Sequence, residues 1–585
     1  MLNKISEAIG CQEYEIALKL IEEYLKNGNP YTDDIAVLEA SVYMETNNFS
    51  TAYSCICDGL KFNPLNYELY FMLGNFYEIQ GAMKKAYLCY ENALYHCKEN
   101  KEDFSFLSSY FETFKVTNNT IVPKVSIIIL TLNQLAYTIK CIDSIRRYCS
   151  PSSYEIIVVD NGSTDETKQY LMSQDDIKYQ FNEKNLGFSG GCNVGIHMAQ
   201  DENDIFLLNN DTVMTENALF SLRMGLYEND KIGAAGSVSN YAAFQTISKT
   251  FDTFEEYLDY AFFNNVPTKN ALEHRIFLVG FAFLLKRSVY NVIGDLDERF
   301  FPGNFEDNDY CTRLILNDYQ LVLCNNSFIF HFGSSTFACL EEKIKNSYDS
   351  ILIDNLQRYI EKWHFNPGLS CICCDEIIQL MDKQDNLQPI NVLEIGCACG
   401  ATLIEIKNRF PNATLYGIES DEHTAGFSTH VANVIQGNVE VLDNPFSVVY
   451  DYIIIGDISK EILYPEKLLT KIKNWLSPNG YILVGVPNIL HYSAILPILQ
   501  GNFIYSDDGV LKPMHLRFFT LFNSVKLLQN SGYKIVDYIK DSTPESILDD
   551  ETIKFIEQLT QLPNVVKKEQ ILTIKYIFKA GTNTK

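Results

Sequence analysis

Residues 125–130, VSIIIL, 155–159, EIIVV, and 204–208, DIFLL, are three short apolar runs, each followed by a polar tip. The tips are Thr131-Leu132-Asn133, Asp160-Asn161-Gly162-Ser163 and Asn209-Asn210-Asp211. Runs this short and this rich in β-branched residues read as strands covered on both faces. The segments between them have helical length and pattern, so the alternation predicts a parallel sheet with helices on either side. Ligands of such sheets bind at the carboxyl ends of the strands, which makes the tips the places to look for chemistry.

Outward from this block, over residues 122–365, the chain changes character twice. After a linker, 366–388, a second alternating block over 389–580 has strands at Val392–Ile395, Thr414–Ile418, Tyr452–Ile455 and Tyr481–Val486. Residues 1–118 read as helices only, with a 34-residue period that pairs Pro30 with Pro64, Ala40 with Gly74, Tyr43 with Tyr77, Ala52 with Ala86, Tyr53 with Tyr87 and Leu60 with Leu94. Small residues at fixed places let paired helices approach, and the pattern resembles tetratricopeptide (TPR) repeats with a frayed first copy near Ala17. The expected fold is multidomain: an α-helical, TPR-like region followed by two α/β domains. The helices either grip a peptide or a second copy of the chain, or cap the next domain.

Composition narrows the function. The 585 residues are 46% hydrophobic and 21% charged, which excludes a disordered or fibrous chain. Lys+Arg and Asp+Glu number 47 and 74, so the net charge is 47 − 74 = −27, which repels nucleic acid and anionic lipid. The longest apolar run, near Ile276–Leu285, is broken by Gly280 and too short for an integral membrane segment. The 16 Cys are scattered, and Cys371, Cys373 and Cys374 lack zinc-ligand spacing, so a cytoplasmic location with reduced thiols is expected.

In the first α/β block, Asp160 stands where a carboxylate can accept hydrogen bonds from a base or ribose. Ser163 and Glu166 read as a capping box. Asn209 and Asp211, two apart at the end of an extended segment, offer oxygens on one side for a hard divalent cation. A chain at −27 needs such a local positive charge to accept a diphosphate. The Gly-rich stretch Asn185–Gly195, with Gly187 and Gly190, suits close approach to a ligand. Glu306 and Asp307 are candidates for a general base, and His331 for a third metal ligand.

These residues lie in VSIIILTLNQ, EIIVVDNGSTDET, NEKNLGFSGGCNVGI, DIFLLNNDT, FLVGFAFLLKRSV, FFPGNFEDNDYCTR and HFGSST, which together resemble a family-2 glycosyltransferase of the GT-A fold, similar to rhamnosyltransferases. The resemblance implies that Thr131, Asn133 and Asp160, with Asn185, Gly187, Gly190 and Asn210, bind a nucleotide sugar, a UDP-sugar by expectation. It also implies that Asn209, Asp211 and His331 hold Mn2+ or Mg2+. Asp307, with Glu306 beside it, would deprotonate the acceptor hydroxyl of a protein such as flagellin or of a surface glycan, with inversion at the anomeric carbon.

In the second block, Glu394, Gly396, Ala398 and Gly400 make a small-residue turn after a strand, and Glu419 ends the next strand. That arrangement fits a dinucleotide-binding or an S-adenosylmethionine (SAM) domain. With Gly437, Asn438, Asp457, Leu476-Ser477-Pro478-Asn479-Gly480 and Val486-Pro487-Asn488, the block resembles class I SAM-dependent methyltransferases. That resemblance implies SAM on Glu394, Gly396, Gly400, Glu419, Gly437, Asn438 and Asp457, and an acceptor side near His491 and His515, either of which is a candidate base. The competing expectation is a TPR scaffold with one or both enzyme folds inactive.

Overall fold

The computed structural model of the protein describes residues 1–333, 342–382, 386–460, 462–506, 509–562 and 566–582, the side chains of 342–348 excepted. Ser334, Ser335 and Thr336 of the HFGSST stretch lie outside the described residues. Two compact units divide the chain, Met1–Lys362 and Trp363–Lys585.

The first unit opens with seven helices: α1 (Leu2–Gly10), α2 (Tyr14–Lys26), α3 (Asp33–Glu45), α4 (Phe49–Phe62), α5 (Tyr67–Ile79), α6 (Met83–His96) and α7 (Lys101–Thr117). The 34-residue offset recurs in the caps. Thr32 accepts the Ile35 N–H to start α3, and Asn66 accepts the Leu69 N–H to start α5. The small positions are explained by packing, since a Cβ at Gly74 would lie 2.3 Å from the Tyr90 ring. These helices fit TPR-like repeats.

The α/β part follows with β1 (Val125–Thr131), α8 (Leu135–Tyr148), β2 (Tyr154–Asp160), α9 (Thr167–Met172), β3 (Ile177–Phe181), α10 (Gly187–Met198), β4 (Asp204–Asn209) and β5 (Thr212–Val213). It continues with α11 (Ala218–Leu226), β6 (Ile232–Val238), α12 (Phe254–Asn264), β7 (Leu272–Arg275), β8 (Ala282–Leu285), α13 (Arg287–Ile293), α14 (Glu306–Leu316), β9 (Gln320–Phe328) and β10 (Phe330–His331). Eight strands form one sheet in the order β3-β2-β1-β4-β8-β6-β9-β7. The expectation of a parallel sheet is corrected at two strands: β8 runs antiparallel to β4 and β6, and β7 antiparallel to β9.

All nine residues of α11 are buried. The repeats help to cover it: Asn217 donates to the Pro64 carbonyl and faces Asn92 and His96, and the buried Arg223 pairs with Glu91 while donating to the Pro123 carbonyl. One hydrophobic core runs from Ala36 of α3 to Leu284 of β8. Of the two expected roles for the helices, the cap is therefore visible in the packing.

The second unit holds β11 (Asn391–Ile395), β12 (Thr414–Glu419), β13 (Asn433–Gln436), β14 (Tyr450–Ile455), β15 (Leu476–Pro487), β16 (Tyr533–Ser542) and β17 (Thr573–Thr582), in the sheet order β13-β12-β11-β14-β15-β17-β16. The first five are parallel, and β17 runs antiparallel to both β15 and β16. A dinucleotide-binding sheet has the wholly parallel order 3-2-1-4-5-6. The inserted antiparallel strand separates this unit from that architecture.

Candidate functional site

In the first unit the strand tips converge as the register dictates: Thr131 lies opposite Asp160, and Leu130 opposite Asn209. Thr131 Oγ1 faces Thr138 Oγ1 at 2.9 Å, and Asn210 Nδ2 donates to both hydroxyls. Asp160, 3% exposed, accepts the Ser163 N–H at 3.0 Å. Asn133 sits at φ 59° and accepts the Thr164 N–H. Thr131, Asn133, Asp160 and Asn210 thus share one end of the sheet.

Two expectations change. Ser163 and Glu166 do not form a capping box: Ser163 Oγ accepts the Asn133 N–H, and Asp165 takes the Thr167 N–H where α9 starts. The glycines of α10 answer to protein packing. A Cβ at Gly187 would lie 2.8 Å from Phe301, one at Gly191 2.3 Å from Leu130, one at Gly195 2.4 Å from Ile128, and Gly190 faces Leu186. Asn185 accepts hydrogen bonds from Asn161 and the Gly187 N–H. Asn161, absent from the candidates, is 2% exposed and ties this corner together through Asn182, Asn185, Leu186 and Gly187.

Asn209 ends β4, but the chain turns at Asn210 and Asp211 before β5, so the extended spacing assumed for Asn209 and Asp211 does not hold. Asp211 instead meets His331, because β5 and β10 pair. Their Oδ1 and Nε2 are 3.1 Å apart. His331 Nδ1 lies 2.7 Å from the Tyr241 carbonyl, which orients the ring with Nε2 towards the carboxylate. A carboxylate with a carbonyl-anchored imidazole is a donor set that suits Mn2+.

Two consecutive residues link this pair to the base candidates. The Phe281 ring stacks on His331 at 5.2 Å, and its carbonyl accepts the Asn209 N–H. Next to it, the Gly280 N–H donates to Asp307 Oδ2 at 3.0 Å, and the Asn308 N–H to Oδ1. Burial raises both carboxyls above their ordinary values, and the charge of Asp307 raises Glu306 further. Glu306 Oε2 is buried without a partner among the described residues. Asp307, with two N–H donors and the amino end of α14, is the member of the pair that holds the negative charge. Asn355, fully buried, fixes the preceding loop by donating to the carbonyls of Phe300 and Gly303, a role no local pattern announces.

In the second unit the β11 tip turns at Gly396 (φ 72°), Ala398 (φ 46°) and Gly400 (φ 82°), and a Cβ at Gly396 would meet nothing within 4 Å. Glu419 accepts N–H bonds from Ala398, Ser420 and Asp421, so it locks this turn to the end of β12. Glu394 is 4% exposed, and its Oε2 has no partner among the described residues. A buried carboxyl oxygen left open beside a glycine turn fits a cationic ligand such as SAM. Gly437 donates its N–H to the Glu419 carbonyl, and Asn438 closes an Asx turn on Glu440. Asp457 binds Ser459 and His515; although burial opposes its ionisation, these hydrogen bonds prevail and hold it below the usual range.

Both histidines of the acceptor side are engaged by protein. His515 faces the Val510 carbonyl and Asp457, so both ring nitrogens are taken up by protein. His491 caps the helix Tyr492–Leu499 and meets Thr543, and burial lowers it to about 4. Among the described residues no three of His, Cys, Asp and Glu gather as a metal site, the Cys371–Cys374 patch included. No described helix is long and apolar enough to cross a membrane.

Burial pushes Glu394 up to about 8, from 4.5. Folding therefore takes up a proton between those values, and the contribution of Glu394 to stability should be fully present below about 4.5 and be lost as pH rises through about 8. Chemical denaturation of the Glu394→Gln chain at several pH values should show that slope flattened.

Comparison with known proteins agrees with the two folds. The family model Glycosyl transferase family 2 matches residues 126–294, which stops short of Glu306, Asp307 and His331, and the model Methyltransferase domain matches 363–538. A low-salt glycan biosynthesis hexosyltransferase of Haloferax volcanii is 28% identical over 181 residues, 29% of this chain and 56% of the relative. A malonyl-acyl-carrier-protein O-methyltransferase of Halalkalibacterium halodurans is 27% identical over 118 residues, 18% of this chain and 44% of the relative. The chain thus spans about half the length of these curated relatives. Among solved structures, a mannosyltransferase of Pyrobaculum calidifontis in complex with GDP-Man and Mn2+ aligns with a TM-score of 0.31 at 15% identity, over 41% of this chain and 65% of that one. A SAM-dependent methyltransferase of Archaeoglobus fulgidus aligns at 0.27 and 16%, over 38% and 97%. This chain joins a family-2 glycosyl transferase domain to a methyltransferase domain.

Proposed function

We propose that the first unit is a metal-dependent, inverting glycosyltransferase that moves a sugar from a nucleoside diphosphate, UDP by preference, to a protein or surface-glycan hydroxyl. We further propose that the second unit methylates the same product, using SAM. The observation that supports the reading is that two consecutive residues touch both candidate groups, Gly280 the Asp307 carboxylate and Phe281 the ring of His331, which pairs with Asp211.

On this reading Thr131, Asn133, Asp160 and Asn210 bind the nucleoside. Asp211 and His331 hold Mn2+ or Mg2+, which when bound would offset the charge of the leaving diphosphate. Asp307 takes the proton from the acceptor oxygen as that oxygen attacks the anomeric carbon opposite the leaving group, and Glu306 stays neutral beside it. In the second unit Glu394 meets the cationic methionine end, Glu419 and Asn438 the nucleoside, and the tight turn at Gly396 leaves backbone against the ligand. Joining the two on one chain raises the local concentration of a glycosylated product for methylation.

The test is a panel of UDP-, dTDP- and GDP-sugars with Mn2+, scored by nucleotide release. Release that requires the metal and falls by about two orders of magnitude or more in Asp211→Ala supports the transferase. Silence across the panel with acceptor lysates present would favour the scaffold. Calorimetry with SAM on the Glu394→Gln chain, which should lose affinity, tests the second unit.

A further inference from the structure

A cavity of about 290 Å³ lies at the β7 edge of the first unit's sheet, against α12 and the loop that follows β6. Ligand pockets start at about this size. Arg275, Lys249, Gln245, Asn264 and Tyr260 line it, with Phe244 at its mouth. None of them belongs to the nucleotide, metal or base groups described above.

Phe244 is the first signal. It is 92% exposed and held at φ 58°, a left-handed conformation that a bulky side chain seldom adopts. The turn is pinned on both sides. Gln245 donates from Nε2 to the Ser237 carbonyl and accepts the Val279 N–H at 2.6 Å, while Thr246 Oγ1 binds both the N–H and the carbonyl of Ala242. A rigid turn that turns an aromatic ring out into water gains nothing for folding, and strain of this kind collects where a ligand is met.

The second signal is charge. The cavity's lining holds two cationic side chains and one carboxylate: Glu273 accepts from Asn325 and one arm of Arg275, while the Lys249 ammonium lies over the Tyr260 ring. Arg275 Nε is buried with no hydrogen-bond partner among the described residues. On a chain of net charge −27 this is a locally cationic hollow. Planar guanidinium suits a carboxylate, and an aromatic face suits the C–H face of a sugar ring.

Resting on the glycosyltransferase reading, we propose that this cavity binds a carboxylate-bearing sugar residue of the acceptor, a uronic-acid-type pyranose. Gln245 joins the cavity to the base: its partner Val279 precedes Gly280, the residue that holds Asp307. An acceptor seated here presents its next hydroxyl towards Asp307.

Saturation-transfer NMR on the full chain tests this with glucuronate, glucose and inorganic phosphate. Glucuronate should bind, and glucose should bind about tenfold more weakly, the size of a lost charge-assisted hydrogen bond. Arg275→Gln should remove the preference for glucuronate, and Phe244→Ala should weaken both sugars. The latter position is too exposed for its loss to unfold the chain. Equal binding of glucose and glucuronate, indifference to Phe244→Ala, or displacement of glucuronate by equimolar phosphate would overturn the assignment. UDP with Mn2+ is measured on the same sample. Nucleotide binding without glucuronate binding defeats this site and spares the transferase, whereas glucuronate binding that needs Arg275, without nucleotide binding, does the reverse.

Discussion

Asp307→Asn should lower the turnover of sugar transfer by about 10³-fold while leaving donor affinity within about threefold. The amide oxygen can still accept the Gly280 N–H that ties the loop, at the cost of the Asn308 N–H bond to the other oxygen, and the capacity to take a proton is lost. Glu306→Gln, by contrast, replaces a carboxyl that burial and the neighbouring charge keep protonated, and should cost far less. The pH profile gives an independent reading. Because burial raises Asp307, the acid limb of kcat/KM should stand above the ordinary aspartate value of 3.8, with activity rising as pH increases through it. Equal losses in the two variants, or a loss of donor binding in Asp307→Asn, would reject the assigned division of labour.

Glu91→Ala should destabilise the first unit by about 3–5 kcal/mol, the cost of leaving a buried guanidinium without its counter-charge. Arg223 has a side chain only 3% exposed, against 14% for Glu91, and water cannot compensate it there. The measurement is the denaturant midpoint, followed by tryptophan-independent circular dichroism. Glu91→Gln, which keeps an acceptor, should lose less. A surface ion pair such as Lys61–Asp58, both more than half exposed, should show next to nothing when broken. If Glu91→Ala behaves like the surface pair, the packing of α6 on α11 does not carry the stability assigned to it.

The strands β1, β2, β4, β11 and β12 were legible to within a residue at each end, and β14 to within two, because each is a short apolar run with a polar tip. Strand direction was not. Nothing in AFLL or LEHR states that β8 and β7 run against their neighbours, since that depends on which edges remain unpaired once the parallel strands have formed. The capping box expected at Ser163 and Glu166 occurs elsewhere, at Thr253 and Glu256, because Ser163 is needed across the cleft by Asn133. At the site, the approach of Asp211 to His331 followed from motif order, whereas Tyr241, Asn355 and the Gly280–Phe281 link act through contacts far apart in sequence. His491 and His515 carried the right residue type for a base, and only burial with named partners distinguishes a packed imidazole from a free one.

The central position of β17 bears on biosynthesis. Its ten residues emerge from the ribosome after those of β15 and β16, yet they are what holds those two strands together. Nascent chains stalled between Ser542 and Thr573 would expose two sticky borders at once, a state that chaperones must shield and proteases can sense. In the contiguous unit Met1–Lys362 the eight-stranded sheet is built wholly from that unit's own strands, so its pairing is complete while the rest is still being translated.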